Sequence, residues 1–95
     1  MTLPRKKILD TAIACYGIEH QRTKCIEELS ELTKELCKDA ISDGDKHRIA
    51  DEIADVLITV EQMIRHYGIE QIVNSRITFK LDRLAKKLNM TNEEE

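Results

Sequence analysis

The stretch that decides the fold is ISDGDKHRIADEIADVLITVEQMIRHYG, residues 41–68. Its first part, Ser42 to Asp45, consists of the small polar residues that favour a turn, and Asp43 or Asp45 is placed to cap a following helix. From Lys46 to Tyr67 apolar residues recur at the spacing of an α-helix, and Gly68 indicates where that helix ends. The stretch therefore predicts a long helix entered through a tight turn.

The apolar arc of this helix is unusually wide. At about 100° per residue, one face of the wheel collects Ile49, Ile53, Val56, Leu57, Val60, Met63 and Ile64, and Ala50, Ala54 and Ile58 extend it. A helix that packs on one side of a small domain needs a narrower stripe. We therefore expect this helix to pack on two sides, one against its own chain and the other against another subunit.

Helical spacing and turn residues predict three further helices. No segment alternates with the period of two that a strand requires. The chain is thus expected to be all-α, a four-helix bundle whose core is completed by oligomerisation. The remaining predicted boundaries are helices over residues 4–16, 18–40 and 69–89, a single domain over 1–90 and a polar C-terminal tail over 91–95.

Composition narrows the function classes. The 95 residues carry a net charge of −3, which argues against a general nucleic-acid partner. No apolar stretch is long enough for a membrane span, and the opening MTLPRKKILD lacks the apolar core of a secretory signal. Cys15, Cys25 and Cys37 are odd in number and widely spaced, so we expect reduced cysteines in a helical core instead of a disulfide framework or zinc site. These features predict a cytoplasmic protein.

Two pairs of acidic residues stand on successive predicted helices. Glu28 and Glu31 are three residues apart, and so are Glu52 and Asp55, so each pair shares a helix face. If the apolar stripes of the two helices pack together, the four carboxylates converge and raise one another's pKa. Such a cluster favours a cation that prefers oxygen ligands, Mg²⁺ or Mn²⁺. Either pair alone is more typical of solvated helix surface.

The predicted fourth helix carries a basic stripe. Arg76, Lys80, Arg83 and Lys87 recur at helical spacing along one face. Such a stripe commonly covers apolar surface with its long stems. Beside an acidic metal site it would also neutralise a triphosphate. Other chemistries fail on spacing, since no histidine follows a glutamate by three residues as in di-iron bundles, and no glycine-rich phosphate loop is present.

The acidic pairs also resemble a known motif. Glu27-Glu28-Leu29-Ser30-Glu31, twenty intervening residues and Glu52-Ile53-Ala54-Asp55-Val56-Leu57 resemble the E-E-x-x-E … E-x-x-D signature of the MazG-type all-α nucleoside triphosphate pyrophosphohydrolases. The flanking segments 16–21 and 79–84 are similar to those of short phage and Gram-positive MazG-like proteins. The resemblance covers roughly residues 7–88.

The resemblance implies a Mg²⁺-dependent enzyme, with Mn²⁺ as a substitute, that cleaves nucleoside triphosphates between the α and β phosphates. The products would be a monophosphate and pyrophosphate, and the enzyme would be a homodimer or homotetramer with sites near subunit contacts. Carried over by motif position, the catalytic metal ligands would be Glu28, Glu31, Glu52 and Asp55, and the substrate-binding residues would be Lys80, Arg83, Gln21 and Asn74.

Two points stay open at the level of sequence. Tyr16, Tyr67 and Phe79 are the only rings available to stack on a base, so the base pocket is either permissive or formed partly by another subunit. The alternative function is a non-catalytic helical dimerisation or protein-interaction module that binds a partner through the wide apolar arc.

Overall fold

The computed structural model describes residues 3–90, which form four helices and no strand. The helices are α1 (Arg5–Tyr16), α2 (Ile18–Ala40), α3 (Lys46–Tyr67) and α4 (Glu70–Lys87). The all-α prediction is confirmed, and every helix lies within two residues of its predicted bounds. The predicted tail at 91–95 lies outside the described residues. Within residues 3–90, no helix combines the length and the apolar character needed to cross a membrane.

Local sequence signals account for the helix ends. The Asp45 carboxylate accepts from the backbone N–H groups of His47 at 2.8 Å and Arg48 at 3.4 Å, so it caps α3. Gly68 ends α3 with φ of 64°, a left-handed conformation that glycine adopts without strain. Gly17 separates α1 from α2 with φ of 87°. Of the two predicted caps, Asp45 is the one used.

The two longest helices, α2 and α3, lie side by side along most of their length. A short turn joins them, so they run antiparallel. Helix α1 packs across both and is tied to α3 by two ion pairs, Arg5 Nε to Glu61 Oε2 at 2.8 Å and Arg65 Nε to Asp10 Oδ1 at 2.7 Å. These three helices form the part of the chain that positions the acidic residues.

The α2–α3 contact face is more polar than the sequence predicts. The residues buried in these helices include Gln21 and Cys25 on α2 and Thr59 and Gln62 on α3. Within one chain the packing of one apolar stripe on the other is therefore only part of this contact, with Val56, Val60 and Met63 half-buried. The physical reason is that these buried polar side chains find hydrogen-bond partners, so their faces can pack while much of the apolar arc stays free. The exposed apolar residues of α2 and α3 include Ile26, Leu29, Leu36, Ile53 and Leu57.

Helix α4 leaves the rest of the chain. Among the described helices it approaches only α3, and none of its residues is buried. The radius of gyration is 16.8 Å, against about 12 Å for a compact domain of this length. Within residues 3–90 the four helices therefore do not close into a bundle.

The apolar core of a single chain is correspondingly small. In residues 3–90 only Leu9 and Cys25 are buried apolar side chains. All three cysteines are free, as predicted, but Cys15 and Cys37 are exposed and only Cys25 lies in the core. The accessible surface is 7825 Å², whereas a compact monomer of this mass exposes roughly 5,600 Å². The chain thus leaves unburied an area typical of one side of a protein interface or more.

Candidate metal centre

Three of the four predicted carboxylates meet in the middle of the α2–α3 interface. Glu28 comes from α2, and Glu52 and Asp55 come from α3. Each offers one oxygen, and these three oxygens lie within 4.8 Å of one another. Glu52 and Asp55 share a face because they are three residues apart, and the antiparallel packing brings Glu28 to the same place.

Glu52 is the carboxylate most affected by this arrangement. Its Oε2 atom is buried and accepts no hydrogen bond. Burial is the largest cause that raises the pKa of Glu52. The negative charges of Asp55, Glu28, Glu31 and Asp51 raise it further. An unpaired buried carboxylate oxygen among like charges is costly for the folded chain. A cation would relieve both costs.

Among residues 3–90, Lys24 is the only cationic side chain that forms an ion pair with one of the three clustered carboxylates. Its Nζ lies 3.4 Å from Glu28 Oε1 and 3.9 Å from the exposed Glu27. Lys24 stands four residues before Glu28, and this i, i+4 spacing is the signal in the sequence that our prediction missed. One half-exposed ammonium group leaves the charge of Glu52 and Asp55 uncompensated.

Glu31 lies outside the group of three. It is exposed on α2, and its charge is still close enough to help raise the pKa of Glu52. The structure thus brings together Glu28, Glu52 and Asp55 and leaves the fourth predicted ligand beside them.

The donor set fits Mg²⁺ or Mn²⁺. All contributing atoms are carboxylate oxygens, and Glu52 also has an oxygen, Oε2, that is buried without a hydrogen-bond partner among residues 3–90. Mg²⁺ is usually held by one or two carboxylates, with its other positions filled by water and substrate phosphates. The three residues can supply such a set without rearranging the helices.

The predicted phosphate-binding residues lie elsewhere. Lys80 and Arg83 are on α4, which contacts α3 alone among the described helices, and within residues 3–90 the only ion pair of the three carboxylates is with Lys24. Arg76, one turn before Lys80 on the same stripe, lies over the Phe79 ring at 4.7 Å from its centroid.

Gln21 is buried between α2 and α3. Its Nε2 donates to Gln62 Oε1 at 3.0 Å, and its Oε1 lies 2.7 Å from His20 Nδ1. Both ends of the amide are therefore engaged within the protein. Gln62 was not predicted as a functional residue, although its position outside the apolar arc of α3 was readable from the sequence.

Asn74 lies in a different place again. It lines an open concavity between the end of α3 and the start of α4, together with Lys6, Arg65 and Gln71. None of the three clustered carboxylates lines that concavity.

One further acidic residue was not predicted. Glu35 is buried on α2, and its Oε1 lies 3.4 Å from Lys38 Nζ while its Oε2 has no partner. It follows Glu28 by seven residues, so both lie on the same face, and this spacing was readable from the sequence.

Comparisons with protein-family models, with curated proteins and with solved structures found no match to this chain. The likeness to MazG-type enzymes therefore rests on the motif residues and their spacing.

Proposed function

We propose that this protein is a Mg²⁺-dependent nucleoside triphosphate pyrophosphohydrolase of the MazG type. The observation that carries the proposal is the meeting of Glu28, Glu52 and Asp55, together with the burial of Glu52 Oε2 without a hydrogen-bond partner among the described residues. Three carboxylate oxygens favour a hard divalent cation such as Mg²⁺. Enzymes that use such a cation commonly act on phosphate-containing substrates.

Each acidic residue has a proposed task. Glu28, Glu52 and Asp55 would hold the cation, with Glu31 beside them as a further carboxylate. A bound cation would supply neutralisation of phosphate charge and activation of water. Lys24, which is paired with Glu28, would add a positive charge next to the phosphates.

The substrate's remaining charge requires cations from another direction. Lys80 and Arg83 lie on a helix that approaches only α3 of its own chain. We therefore propose that these two residues reach the carboxylates of a second copy, so that each site contains residues of two subunits. A triphosphate bound between them is contacted by cations on both sides.

The exposed apolar residues support assembly into a homodimer or homotetramer. At 100° per residue, these residues lie roughly 90° from the mutual contact face on α2 and roughly 160° from it on α3, so neither set belongs to the α2–α3 contact. Leu57 and Ile26, for example, are 57% and 58% exposed. A second copy would bury this face and supply the core that one chain lacks. The three free thiols are compatible with the reducing cytoplasm.

A non-catalytic interaction module is the second candidate, since the same apolar face would equally dock a different protein. The cluster of Glu28, Glu52 and Asp55 favours the enzyme over the interaction module. Three acidic side chains around a buried unpaired oxygen lower the stability of the folded chain, and a docking module gains nothing from them.

The proposal is tested by measuring pyrophosphate release from a panel of standard and modified ribo- and deoxynucleoside triphosphates. Reactions contain either Mg²⁺ or EDTA, and ³¹P NMR identifies the products. We expect at least one triphosphate to yield its monophosphate and pyrophosphate with Mg²⁺ alone. No turnover on any of them would favour the interaction module.

A further inference from the structure

Among residues 3–90, the only buried side-chain hydrogen bond between α2 and α3 joins two glutamines. Gln21 and Gln62 are 6% and 4% exposed, and the Nε2 to Oε1 distance is 3.0 Å. Two buried amides that satisfy each other stabilise one alignment of their helices, because any other alignment leaves each of them unpaired.

The position of this pair relates directly to the acidic residues. Gln21 precedes Glu28 by seven residues, and Gln62 follows Asp55 by seven residues. In antiparallel helices the alignment that sets Gln21 opposite Gln62 therefore also sets Glu28 opposite Asp55. A shift of one turn would place Glu28 opposite Thr59 or Asp51 and would disperse the three carboxylates.

We infer that the Gln21–Gln62 pair fixes the axial register of α2 on α3, and that Gln62 and Gln21 are positioning residues for the acidic centre. At the other end of the helix pair the connecting turn is closely packed, since a side chain on Gly44 would collide with Asp39. A buried polar pair is a known means of selecting one register among several apolar ones. The assignment removes Gln21 from the predicted substrate contacts.

Register is measurable by the distance between two spin labels on the outer faces of the pair. Thr23→Cys on α2 and His47→Cys on α3 are exposed positions, offset along the axis by about 20 Å at 1.5 Å per residue. The native cysteines are replaced in every variant, and labelled protein is diluted with unlabelled protein so that only distances within one chain are seen. A slip of one turn changes the axial offset by about 5.4 Å.

The test variant is Gln21→Leu with Gln62→Leu, which replaces both amides by apolar groups of similar size and is expected to fold. We expect the unsubstituted pair to give one narrow distance and the double variant to give a second population shifted by about one turn. If the double variant loses its helical circular dichroism signal, Gln62→Ser breaks the same bond and takes its place. The inference is wrong if the variant measured keeps the single original distance.

Two matched variants separate register from general packing. Thr59→Val also removes a buried polar group, but that hydroxyl bonds only to Asp55 and Val56 of its own helix, so we expect the original distance. Gln62→Glu keeps an acceptor for Gln21 Nε2 and should restore the single distance. A second population with Thr59→Val would contradict the assignment to the glutamines.

The consequence for the site rests on the proposed function and is measured separately. We expect the double leucine variant to bind Mn²⁺ at least 10-fold more weakly than the unsubstituted chain. If the unsubstituted chain binds no Mn²⁺, the proposed function fails, and the label distances still decide the inference on register.

Discussion

Glu52 lies among four other carboxylates, and burial together with their charge raises its pKa. In the window between the ordinary glutamate value, about 4.3, and its raised value, the folded chain holds a proton that the unfolded chain has lost. Stability of the metal-free protein should therefore fall as pH rises through that window. Thermal unfolding in EDTA across pH 4–8 measures this, and an unchanged contribution from Glu52 over the whole range would contradict it.

Glu52→Gln tests the same residue at constant pH. The variant removes the charge and supplies an amide, so we expect a higher melting temperature than the unsubstituted protein at pH 7 in EDTA, but no further rise on adding Mg²⁺. Glu27→Gln is the matched control, because Glu27 is exposed and outside the cluster. Asp10 and Asp45 contribute in the opposite sense at lower pH, since hydrogen bonds lower the pKa of each, and they are common to all variants.

Residues that act locally were readable from the sequence. The cap Asp45, the stop Gly68 and the spacing of Glu52 and Asp55 depend only on near neighbours along the chain, and all were predicted. Gln62 was missed because its role depends on which helix faces meet, whereas Lys24 was missed although its spacing to Glu28 is local. A helical wheel cannot choose between faces when the apolar arc is wider than one contact.

At the scale of the helix, α4 combines exposed apolar residues with basic ones. Ile77, Leu81, Leu84 and Leu88 are each about half exposed and lie along one side. Lys80 and Arg83 flank them. Its sequence predicted a helix correctly, but its separation from α1 and α2 was not predictable, because helical periodicity gives the faces of a helix and not the elements on which they pack.

Mixing two inactive variants tests whether α4 acts on another copy. Glu52→Gln and Arg83→Ala should each remove most turnover alone. If a site combines the carboxylates of one chain with α4 of another, coexpression of both in a symmetric dimer restores about a quarter of full activity. Pyrophosphate release measures it. A mixture no more active than its parts would show that Arg83 does not act in trans.

At the scale of the whole molecule, the open apolar face of α2 and α3 is the feature that one chain does not explain. We expect Leu57→Asp to dissociate the oligomer, because it places a charge in the centre of that face. Sedimentation velocity at micromolar concentration should show a dimer or tetramer for the unsubstituted chain and a monomer for the variant. Asp82→Asn, an exposed change on α4 outside both apolar surfaces, serves as the control. An unsubstituted chain that sediments as a monomer would contradict the proposed assembly.

The central claim is that Glu28, Glu52 and Asp55 form a divalent-cation site, and Mn²⁺ titration followed by electron paramagnetic resonance tests it without a substrate. The signal of free Mn²⁺ decreases as the ion binds. We predict saturable binding by the unsubstituted chain, equal binding by Glu27→Gln, and affinity lower by at least 10-fold in Asp55→Asn. Absence of binding by the unsubstituted chain, or equal affinity in Asp55→Asn, would contradict the claim.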